Sequence, residues 1–594
     1  MPWRDATRRT ALTGCSFGAH SHPEVVWHEY NRVHKWRRAA PEADAPELLE
    51  TAAAARRQRG EYIEPEDDDL MLQWHLENTG DVRNGVAGED VNAKEAWRAG
   101  YTGTGILVNV VDDGVDDSNP SIAGNYDAAS SFSYAYEDGV VVIHRNAPHG
   151  TRVAGVIAGT ADDECGVGVA FDAKVAAVQW ADDSTFTATV VSEVLTHNYQ
   201  NAHISSNSWG PFPFEKSGRV VWEAVDRAMI EGRNGLGTII VAASGNDGQY
   251  QGDCNDDYLQ QTRYSISVGA FDAAGRLASY SEGCPALFIA GASGGSGPGL
   301  TTTDLAGSAG YSGDCAFGFS GTSAATPVVS GGLALVLEAN PTLSWRDVQH
   351  IVQQTARHVA PSHSSWTTNA AGIKRSDRLG FGALDVGAAV AAAVTWEPVL
   401  DADMFEYQAT PFAQPIPDND LAGLDVFFDV DSEVKLEHVR LDVKLDHPSI
   451  SQLGIVLTSP YGTESRLQTA DTLNIDGSTT YEDHFWTTVN SWGETSKGVW
   501  RLRITDEKAR FEGDFLSATL TVWGTDDADV PVADGIFSLP SPIPPSSDVD
   551  YDDDAEEEEE EEEGDGDGSK AESAASPALA ALTAAAAVCA AIVL

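Results

Sequence analysis

The segment GTIIVAA at residues 237–243 is an apolar run that begins at a glycine and is followed by Ser-Gly-Asn. A second run, ILVNVV at residues 106–111, also follows a glycine and leads into two acidic residues. Segments rich in Ala, Val, Leu and Glu, such as 220–231 and 327–339, lie between runs of this kind. This alternation predicts βαβ units around a buried parallel sheet, with functional groups at the carboxyl ends of the strands.

The pattern changes between residues 397 and 525. Apolar and polar residues now alternate with period two, for example in VKLEHVRL, GIVL, WRLRI and ATLTVW at 434–441, 454–457, 500–504 and 518–523. Turn-forming residues separate these runs, and helical periodicity is missing. The segment therefore predicts a separate antiparallel β-sandwich.

The charge of the chain excludes one broad class of function. The 594 residues carry a formal net charge of −54, which is incompatible with a protein that binds nucleic acid through a basic surface. We therefore expect no nucleic-acid partner. The charge is uneven: residues 1–59 have 10 basic and 7 acidic side chains, whereas residues 548–567 have 15 acidic and no basic ones.

The two ends differ from the body. Residues 1–20 lack the apolar core of a signal peptide, so we expect a missing natural N-terminus; the alternative is a chain not secreted by the usual route. Residues 526–577 are rich in Pro, Ser and acidic residues and predict a disordered linker. Residues 578–594 are uncharged, which fits a short membrane anchor or a GPI-attachment signal; an Ala-rich tail of no function is the alternative.

Three motifs suggest serine chemistry. They are VVDDG, which contains Asp112, HGTRVAG, which begins at His149, and GTSAATP, which contains Ser323. A hydroxyl must lose a proton as it attacks, an imidazole must take that proton, and a carboxylate must orient the imidazole. Each residue alone is more often a cap, a turn former or a structural histidine. Together, in the order Asp, His, Ser, they predict a catalytic triad of the subtilisin order.

Asn246 adds a fourth group to this set. An asparagine amide after a buried strand can donate a hydrogen bond to an oxyanion, and the backbone N–H of Ser323 at a helix start would be a second donor. The alternative is that Asn246 is a turn residue. We predict Asn246 as the oxyanion-stabilising side chain.

With these motifs the sequence resembles subtilisin-type serine proteases, and in detail the kexin/furin branch (the proprotein convertases). The similar stretches are GYTG, DDG, AGNYD, SWGP, YSE and SWRDVQH at 100–103, 112–114, 123–127, 208–211, 280–282 and 344–350. LTSP, SWGE and GVW at 457–460, 491–494 and 498–500 are similar to its P-domain. The resemblance implies a subtilisin-like α/β fold of parallel sheet and flanking helices, followed by the antiparallel P-domain sandwich.

Four of the six cysteines fall in one glycine-rich stretch, so an oxidising compartment and two bridges are compatible with the sequence. Composition leaves all three pairings open. The resemblance implies the pairs Cys165–Cys315 and Cys254–Cys284.

The resemblance also assigns substrate-binding residues. Asp257 matches an acid of the primary pocket and Asp113 one of the neighbouring pocket, and the pocket and edge-strand backbone falls at Ser208, Trp209, Gly210, Ser244 and Gly245. Other family acids are missing, because Pro213, Asn146 and Val190 or Val191 stand at or near their positions. We therefore expect Arg before the scissile bond, with a weaker demand for a basic neighbour.

The resemblance implies calcium as the cofactor. Asp67 and Asp162 match one family site in which Ser121 replaces an expected Asp, and Glu282 matches a second site that lacks the acid near Pro213. Hard cations need several oxygen ligands, so both sites are depleted. The alternative is that these are ordinary surface acids.

Self-processing is predicted at RRQR, residues 56–59, where Arg56 and Arg59 precede Gly60. The predicted parts of the chain are a propeptide remnant (1–59), the catalytic domain (60–396), the P-domain (397–525), the acidic linker (526–577) and the anchor or GPI signal (578–594). A solvated run of arginines in a linker is the alternative for the first boundary.

Taken together, the sequence predicts a calcium-dependent serine endopeptidase that cleaves proproteins after basic residues, Arg preferred, and matures by cutting after Arg59. We expect a monomer of the secretory pathway or cell surface, tethered to a Golgi or endosomal membrane or by GPI, with its own propeptide and basic protein or peptide substrates as partners. The alternatives are a subtilase of relaxed specificity and a non-catalytic surface protein on the same scaffold.

Overall fold

A computed structural model describes residues 65, 70, 72–136, 138–162, 164–180, 187–210, 219–470, 480–526 and 537, which all fall in one compact unit. The described helices are α1 (Ala93–Arg98), α2 (Pro120–Ala123), α3 (His149–Ala158), α4 (Ala188–Leu195), α5 (Arg219–Glu231), α6 (Thr322–Ala339), α7 (Trp345–Thr355) and α8 (Val386–Val394).

The strands of the first half are β1 (Leu107–Asp112), β2 (Phe132–Ser133), β3 (Lys174–Gln179), β4 (Ile204–Asn207), β5 (Ile239–Ala243), β6 (Ser265–Phe271), β7 (Ile289–Ala292), β8 (Leu300–Thr303), β9 (Cys315–Phe319), β10 (Trp366–Thr368) and β11 (Lys374–Ser376). Those of the second half are β12 (Ala402–Gln408), β13 (Gln414–Ile416), β14 (Asp420–Val430), β15 (Lys435–Asp446), β16 (Leu453–Thr458), β17 (Glu464–Gln468), β18 (Thr480–Thr488), β19 (Gly498–Asp506) and β20 (Gly513–Thr525).

The first seven strands form one sheet in the order β2-β3-β1-β4-β5-β6-β7, and every neighbouring pair is parallel. The two apolar runs that predicted the fold form β1 and β5. Because β1, β4 and β5 are consecutive, parallel neighbours in this sheet, their carboxyl ends lie side by side at the same end of the sheet.

Helices cover both faces of this sheet. Val110 and Val241 face a core that includes residues of α3, α6 and α8, whereas Val111 and Ala242 face a second core with residues of α4 and α5. Successive side chains of a strand point to opposite faces, so a strand buried on both sides carries apolar side chains on both faces. The predicted parallel sheet with flanking helices is confirmed.

Helix α6 carries Ser323 at its second residue and packs against β4, β5, β6 and β7. Of the described residues, this helix alone is long and apolar enough to cross a membrane, but 89% of it is buried inside the protein, as in the core helix of a soluble domain. The predicted anchor at 578–594 lies outside the described residues.

Two antiparallel sheets follow. One has the order β12-β20-β15-β18 with β13 beside β20, and the other has the order β14-β19-β16-β17. Large side chains from both sheets fill a common core, among them Phe428, Trp486, Trp500 and Phe515. The period-two alternation therefore predicted the second part correctly.

Candidate active site

The predicted catalytic and substrate-binding segments meet at one edge of the parallel sheet. Asp112 is the last residue of β1, Ser208 follows β4, and Ser244 follows β5. These strands are adjacent, which brings residues distant in sequence into one crevice.

His149 is paired with Asp112. Its Nδ1 lies 2.8 Å from Asp112 Oδ1 and 2.9 Å from Oδ2. The Asp112 carboxylate holds a proton on Nδ1 of the neutral ring, so the lone pair is on Nε2. A general base requires this tautomer of the imidazole. Burial alone would lower the pKa of His149, but the charge and hydrogen bond of Asp112 raise it to about 9.

Asp113 holds the beginning of helix α3. Its Oδ1 accepts the N–H of Gly150 at 2.6 Å, and its Oδ2 accepts the N–H of His149 at 3.1 Å. The carboxylate thereby satisfies two N–H groups that have no partner inside the helix. Burial, together with the charge of Asp112, raises the pKa of Asp113 to about 7. Asp113 therefore holds the backbone at His149, and its role in a neighbouring substrate pocket stays a prediction.

Ser323 lies at the beginning of α6, where its backbone N–H is among the four without a helical acceptor. Its Oγ donates to the Ser208 carbonyl oxygen at 3.2 Å, and the Ser208 hydroxyl donates to the Ser323 carbonyl at 3.0 Å. Within the described part of the chain, no hydrogen bond joins this hydroxyl to His149. For attack, the Ser323 hydroxyl must give up its hydrogen bond to the Ser208 carbonyl and donate to the His149 imidazole instead. Catalytic hydrogen bonds are often long or poorly aligned before substrate binds and tighten only in the complex.

Asn246 is oriented by the residue before the predicted nucleophile. Its Oδ1 accepts the backbone N–H of Thr322 at 2.9 Å and the Thr322 hydroxyl at 3.0 Å. The backbone N–H of Thr322 can donate only to the oxygen of the Asn246 side-chain amide, so this contact shows which end of the amide is the oxygen and which is the NH₂ group. The Nδ2 of this exposed side chain makes no hydrogen bond within the described residues and is free to donate.

Asp257 lies against the predicted edge segment. A Cβ atom built on Gly210 would come within 2.4 Å of Asp257 Oδ2, so only glycine allows this carboxylate to approach the backbone. Oδ1 accepts the N–H of Leu259 at 2.9 Å, and burial raises the pKa of Asp257 well above its ordinary value. A cation bound beside this group would restore its charged form.

A second carboxylate lies behind Gly245. A Cβ atom on this glycine, whose φ is +107°, would come within 2.3 Å of Glu282 Oε1. Ser244 donates its hydroxyl to the Glu282 carbonyl at 3.2 Å, and Glu282 Oε1 accepts the N–H of Asp247 at 2.9 Å. Burial, with the charge of Asp247 added, raises the pKa of Glu282 to about 7.

The remaining edge residue, Trp209, packs its ring 4.5 Å from Trp180 and 6.5 Å from Tyr258. Of the positions without a family acid, Asn146 is exposed just before α3, Val190 and Val191 lie in α4, and Pro213 lies outside the described residues.

The predicted calcium ligands belong to two sites, and one of these sites includes a residue outside the described part of the chain. Asp162 is exposed and accepts the hydroxyl of Thr160 at 3.0 Å, which in turn donates to the Ser121 carbonyl. Glu282 lies behind Gly245, and Asp67 is outside the described residues. No group of three His, Cys, Asp or Glu side chains that could hold a metal occurs in the part that the structure describes. The described acids alone do not complete either predicted site, so calcium binding stays a prediction, and no chemical step below uses calcium.

Two disulfides join Cys165 to Cys315 and Cys254 to Cys284, the pairs that the resemblance implied. The first bridge attaches strand β9, which leads to Ser323. The second attaches the loop that carries Asp257. Arg56 and Arg59 of the predicted self-cleavage site lie outside the described residues.

The structure adds residues that the sequence did not reveal. Thr322 orients Asn246, and its place beside Ser323 in GTSAATP was the available signal. The ring of Phe319 lies edge-on to the His149 imidazole, with 5.6 Å between centroids. Arg152 makes a two-pronged pair with buried Asp304 at 3.0 and 3.2 Å, which ties α3 to the segment after β8.

Comparisons with known proteins agree with this geometry. The Subtilase family matches residues 103–382, and the Proprotein convertase P-domain matches residues 436–522. Neuroendocrine convertase 2 of Drosophila melanogaster is 34% identical over 492 residues, which cover 78% of this chain and 73% of that protein. The chain belongs to the proprotein convertase branch of the subtilase family. The predicted kexin/furin-like protease class with a P-domain is thereby confirmed.

The chain is also 33% identical to mouse Proprotein convertase subtilisin/kexin type 4 over 498 residues, covering 80% of the chain and 73% of the relative. Rat Furin is 35% identical over 503 residues, which cover 80% of the chain but 60% of Furin. The chain thus spans about 60% of the length of the furins that it matches. The Aeromonas sobria serine protease superimposes with a TM-score of 0.72 at 23% identity, covering 78% of this chain and 96% of that one, and has the same fold.

Proposed function

We propose that this protein is a serine endopeptidase in which Asp112, His149 and Ser323 form the catalytic triad. The observation that carries the proposal is the pairing of His149 Nδ1 with both oxygens of Asp112, at the end of the sheet where Ser323 lies in the first turn of α6. This arrangement leaves Nε2 as the base.

In the first half of the reaction, Ser323 Oγ attacks the carbonyl carbon of the scissile peptide bond. His149 Nε2 takes the hydroxyl proton, and Asp112 stabilises the resulting imidazolium without becoming protonated. The new C–O bond places negative charge on the former carbonyl oxygen. Asn246 Nδ2 and the Ser323 backbone N–H donate to this oxyanion.

The tetrahedral intermediate then collapses, and the C–N bond breaks. The imidazolium gives its proton to the leaving amine, which departs and leaves an acyl ester on Ser323. In the second half, a water molecule loses a proton to His149 and attacks the ester. Return of that proton to Ser323 Oγ releases the acid product and restores the site.

We propose a preference for Arg before the scissile bond, in protein or peptide substrates that include proproteins. The support is Asp257, whose carboxylate lies against Gly210 in the edge segment and is desolvated enough to raise its pKa. A guanidinium placed there would pair with the ionised carboxylate, whereas an apolar side chain would offer this carboxyl group no hydrogen-bond partner. The missing family acids favour a weak demand for a second basic residue.

A peptide library that varies the residues around the scissile bond tests this specificity. We expect cleavage after Arg to exceed cleavage after Leu or Phe by at least tenfold, and Asp257→Asn to remove most of that difference. Equal cleavage after Leu, Phe and Arg would support the relaxed-specificity alternative.

The non-catalytic alternative is tested by labelling with a serine-reactive fluorophosphonate. The proposal predicts one labelled site that is lost in Ser323→Ala and retained in Ser320→Ala, a nearby serine before α6. Absence of labelling in folded wild-type protein would favour a binding protein on the same scaffold.

We propose that the protease matures by cutting itself after Arg59. Expression with a supplied signal peptide, followed by N-terminal sequencing, should give a mature chain that starts at Gly60. Arg59→Ala and Ser323→Ala should both prevent this, because the first removes the recognised side chain and the second the nucleophile. Processing that persists in Ser323→Ala would assign the cut to another protease.

Calcium dependence is supported by the resemblance to the kexin/furin branch, and we propose a stabilising role for the ion.

We also propose a secretory-pathway or cell-surface location, with the segment 578–594 as a membrane anchor or GPI signal. Phospholipase release from cell surfaces distinguishes these two forms of attachment, because it frees only the lipid-anchored one. Sedimentation of the mature protein tests the expected monomer.

A further inference from the structure

The loop that carries the primary-pocket acid is held by the P-domain. It extends from Cys254 to Gln261, with Asp257 near its middle. The end of strand β18 in the P-domain lies against this loop. The contact joins the specificity pocket directly to a domain that contributes no catalytic residue.

Two hydrogen bonds form the contact, and a third, inside the loop, links the two loop residues that make them. The Thr487 hydroxyl donates to the Gln261 carbonyl at 2.5 Å, and the Gln261 side-chain amide donates to the Asn255 carbonyl at 2.6 Å. Asn255 Nδ2 donates in turn to the Thr487 carbonyl at 3.3 Å, so the three residues are joined in a closed ring of hydrogen bonds. All three residues are buried, so water cannot replace a lost donor at low cost. Thr487 thereby fixes both sides of the segment that contains Asp257.

Ring contacts approach the same loop from another direction. The P-domain ring of Phe485 lies 4.8 Å from that of Trp222, and Trp222 lies 6.3 Å from Tyr258, the residue after Asp257. Tyr258 in turn lies 6.5 Å from Trp209 of the substrate-binding edge. Val489, the first residue after β18, donates its N–H to the Pro285 carbonyl at 3.0 Å, beside the Cys254–Cys284 bridge.

We propose that Thr487 is a positioning residue for Asp257, so that the P-domain sets how strongly the pocket discriminates a guanidinium from an uncharged side chain. The inference rests on the proposed function, because it requires Asp257 to contact substrate. A carboxylate pairs with a guanidinium only in a narrow geometry, and displacement of a pocket group by even 1 Å weakens transition-state binding.

The test compares paired peptides with Arg or its uncharged isostere citrulline before the scissile bond. We expect Thr487→Val to lower the ratio of kcat/KM for the Arg peptide to that for the citrulline peptide by about two- to tenfold, the effect of one buried hydrogen bond. The loss should fall mainly on the Arg peptide. Thr487→Ser, which keeps the hydroxyl, should restore the wild-type ratio.

Thr488→Val is the matched control. This adjacent threonine is equally buried, but its hydroxyl bonds Ser465 at 2.8 Å inside the P-domain. General destabilisation lowers the amount of active enzyme and leaves the ratio unchanged, so Thr488→Val should keep it. Active-site titration with the fluorophosphonate normalises all variants. If Thr487→Val fails to fold, Phe485→Leu must give the same loss through Trp222.

Each outcome decides the question. A wild-type ratio in folded Thr487→Val overturns the positioning role while leaving the Arg preference intact. An equal fall in Thr488→Val also overturns it, because the effect would then be unspecific. A wild-type enzyme with no preference for Arg over citrulline rejects the proposed specificity itself, and the inference with it.

Discussion

The backbone N–H of Thr322 donates to Asn246 Oδ1 at 2.9 Å, and the Thr322 hydroxyl donates to the same oxygen at 3.0 Å. The residue that precedes the nucleophile thus orients the amide that we propose stabilises the oxyanion. Because both donors hold the oxygen, Nδ2 is aimed before substrate arrives. A preorganised donor need not be reoriented during the reaction.

The first prediction concerns this pair. Asn246→Ala should lower kcat by roughly 10²–10³-fold with little change in KM, because the donor acts mainly on the charge of the transition state. Thr322→Val keeps the backbone donor and loses the hydroxyl, so kcat should fall by only about two- to tenfold. Steady-state kinetics on an Arg peptide measures both. A loss confined to KM in Asn246→Ala would contradict the oxyanion role.

The second prediction concerns pH. His149 must be neutral to accept a proton, and its pKa is raised to about 9, so kcat/KM should rise with pH across the neutral range. The charge of Asp113 contributes to that rise in pKa. Asp113→Asn removes a charge that favours the imidazolium, so the pKa should fall and the acid limb should move to lower pH.

The pH dependence of kcat/KM checks this sign. Asp127→Asn is the control, because that carboxylate accepts hydrogen bonds from the backbone and hydroxyl of Ser130 and none from the catalytic segment. A shift of the acid limb to higher pH in Asp113→Asn would contradict the electrostatic assignment.

The third prediction concerns the junction of the two domains. Trp492 of the P-domain is buried among rings of the catalytic domain, 5.8 Å from Phe288, 5.7 Å from Phe381 and 5.0 Å from His350. Trp492→Ala should lower the free energy of unfolding by about 3–5 kcal/mol, since it empties a large buried site.

Denaturant unfolding followed by tryptophan fluorescence and by activity measures this loss. Leu516→Ala, at a P-domain position that is 47% exposed, should change the free energy by less than about 0.5 kcal/mol. Comparable losses in the two variants would show that Trp492 has no special role at the junction.

The fourth prediction concerns calcium. If the ion binds at the carboxylate behind Gly245, calcium should raise the Tm of wild-type protein, and Glu282→Gln should lose that increase. Asp162→Asn tests the other predicted site in the same way. A calcium-dependent Tm that neither substitution alters would place the ion elsewhere, and an unchanged wild-type Tm would reject calcium binding. Thermal unfolding in EDTA and in millimolar calcium supplies the measurement.

The fold was predictable because its signals are local. The apolar run that became β5 follows Gly237 and Thr238 and contains no polar residue, which is typical of a short strand covered on both faces. The runs that became β15, β19 and β20 alternate, which indicates sheets with one buried face. The roles of Thr487, Phe485 and Trp492 were not predictable, because their partners lie more than a hundred residues away and share no pattern with them.

By itself, the sequence determined the order of strands and helices, the family, and the residue types available for serine chemistry, because these follow from periodicity and short motifs. Tertiary structure decided which groups touch: Asp112 with His149, Thr322 with Asn246, and Asp257 with Gly210. It also placed the Ser323 hydroxyl on the Ser208 carbonyl and the P-domain against the pocket loop. Such contacts join residues that are far apart in the sequence, so they form only when the strand order and the packing bring those residues within hydrogen-bond distance.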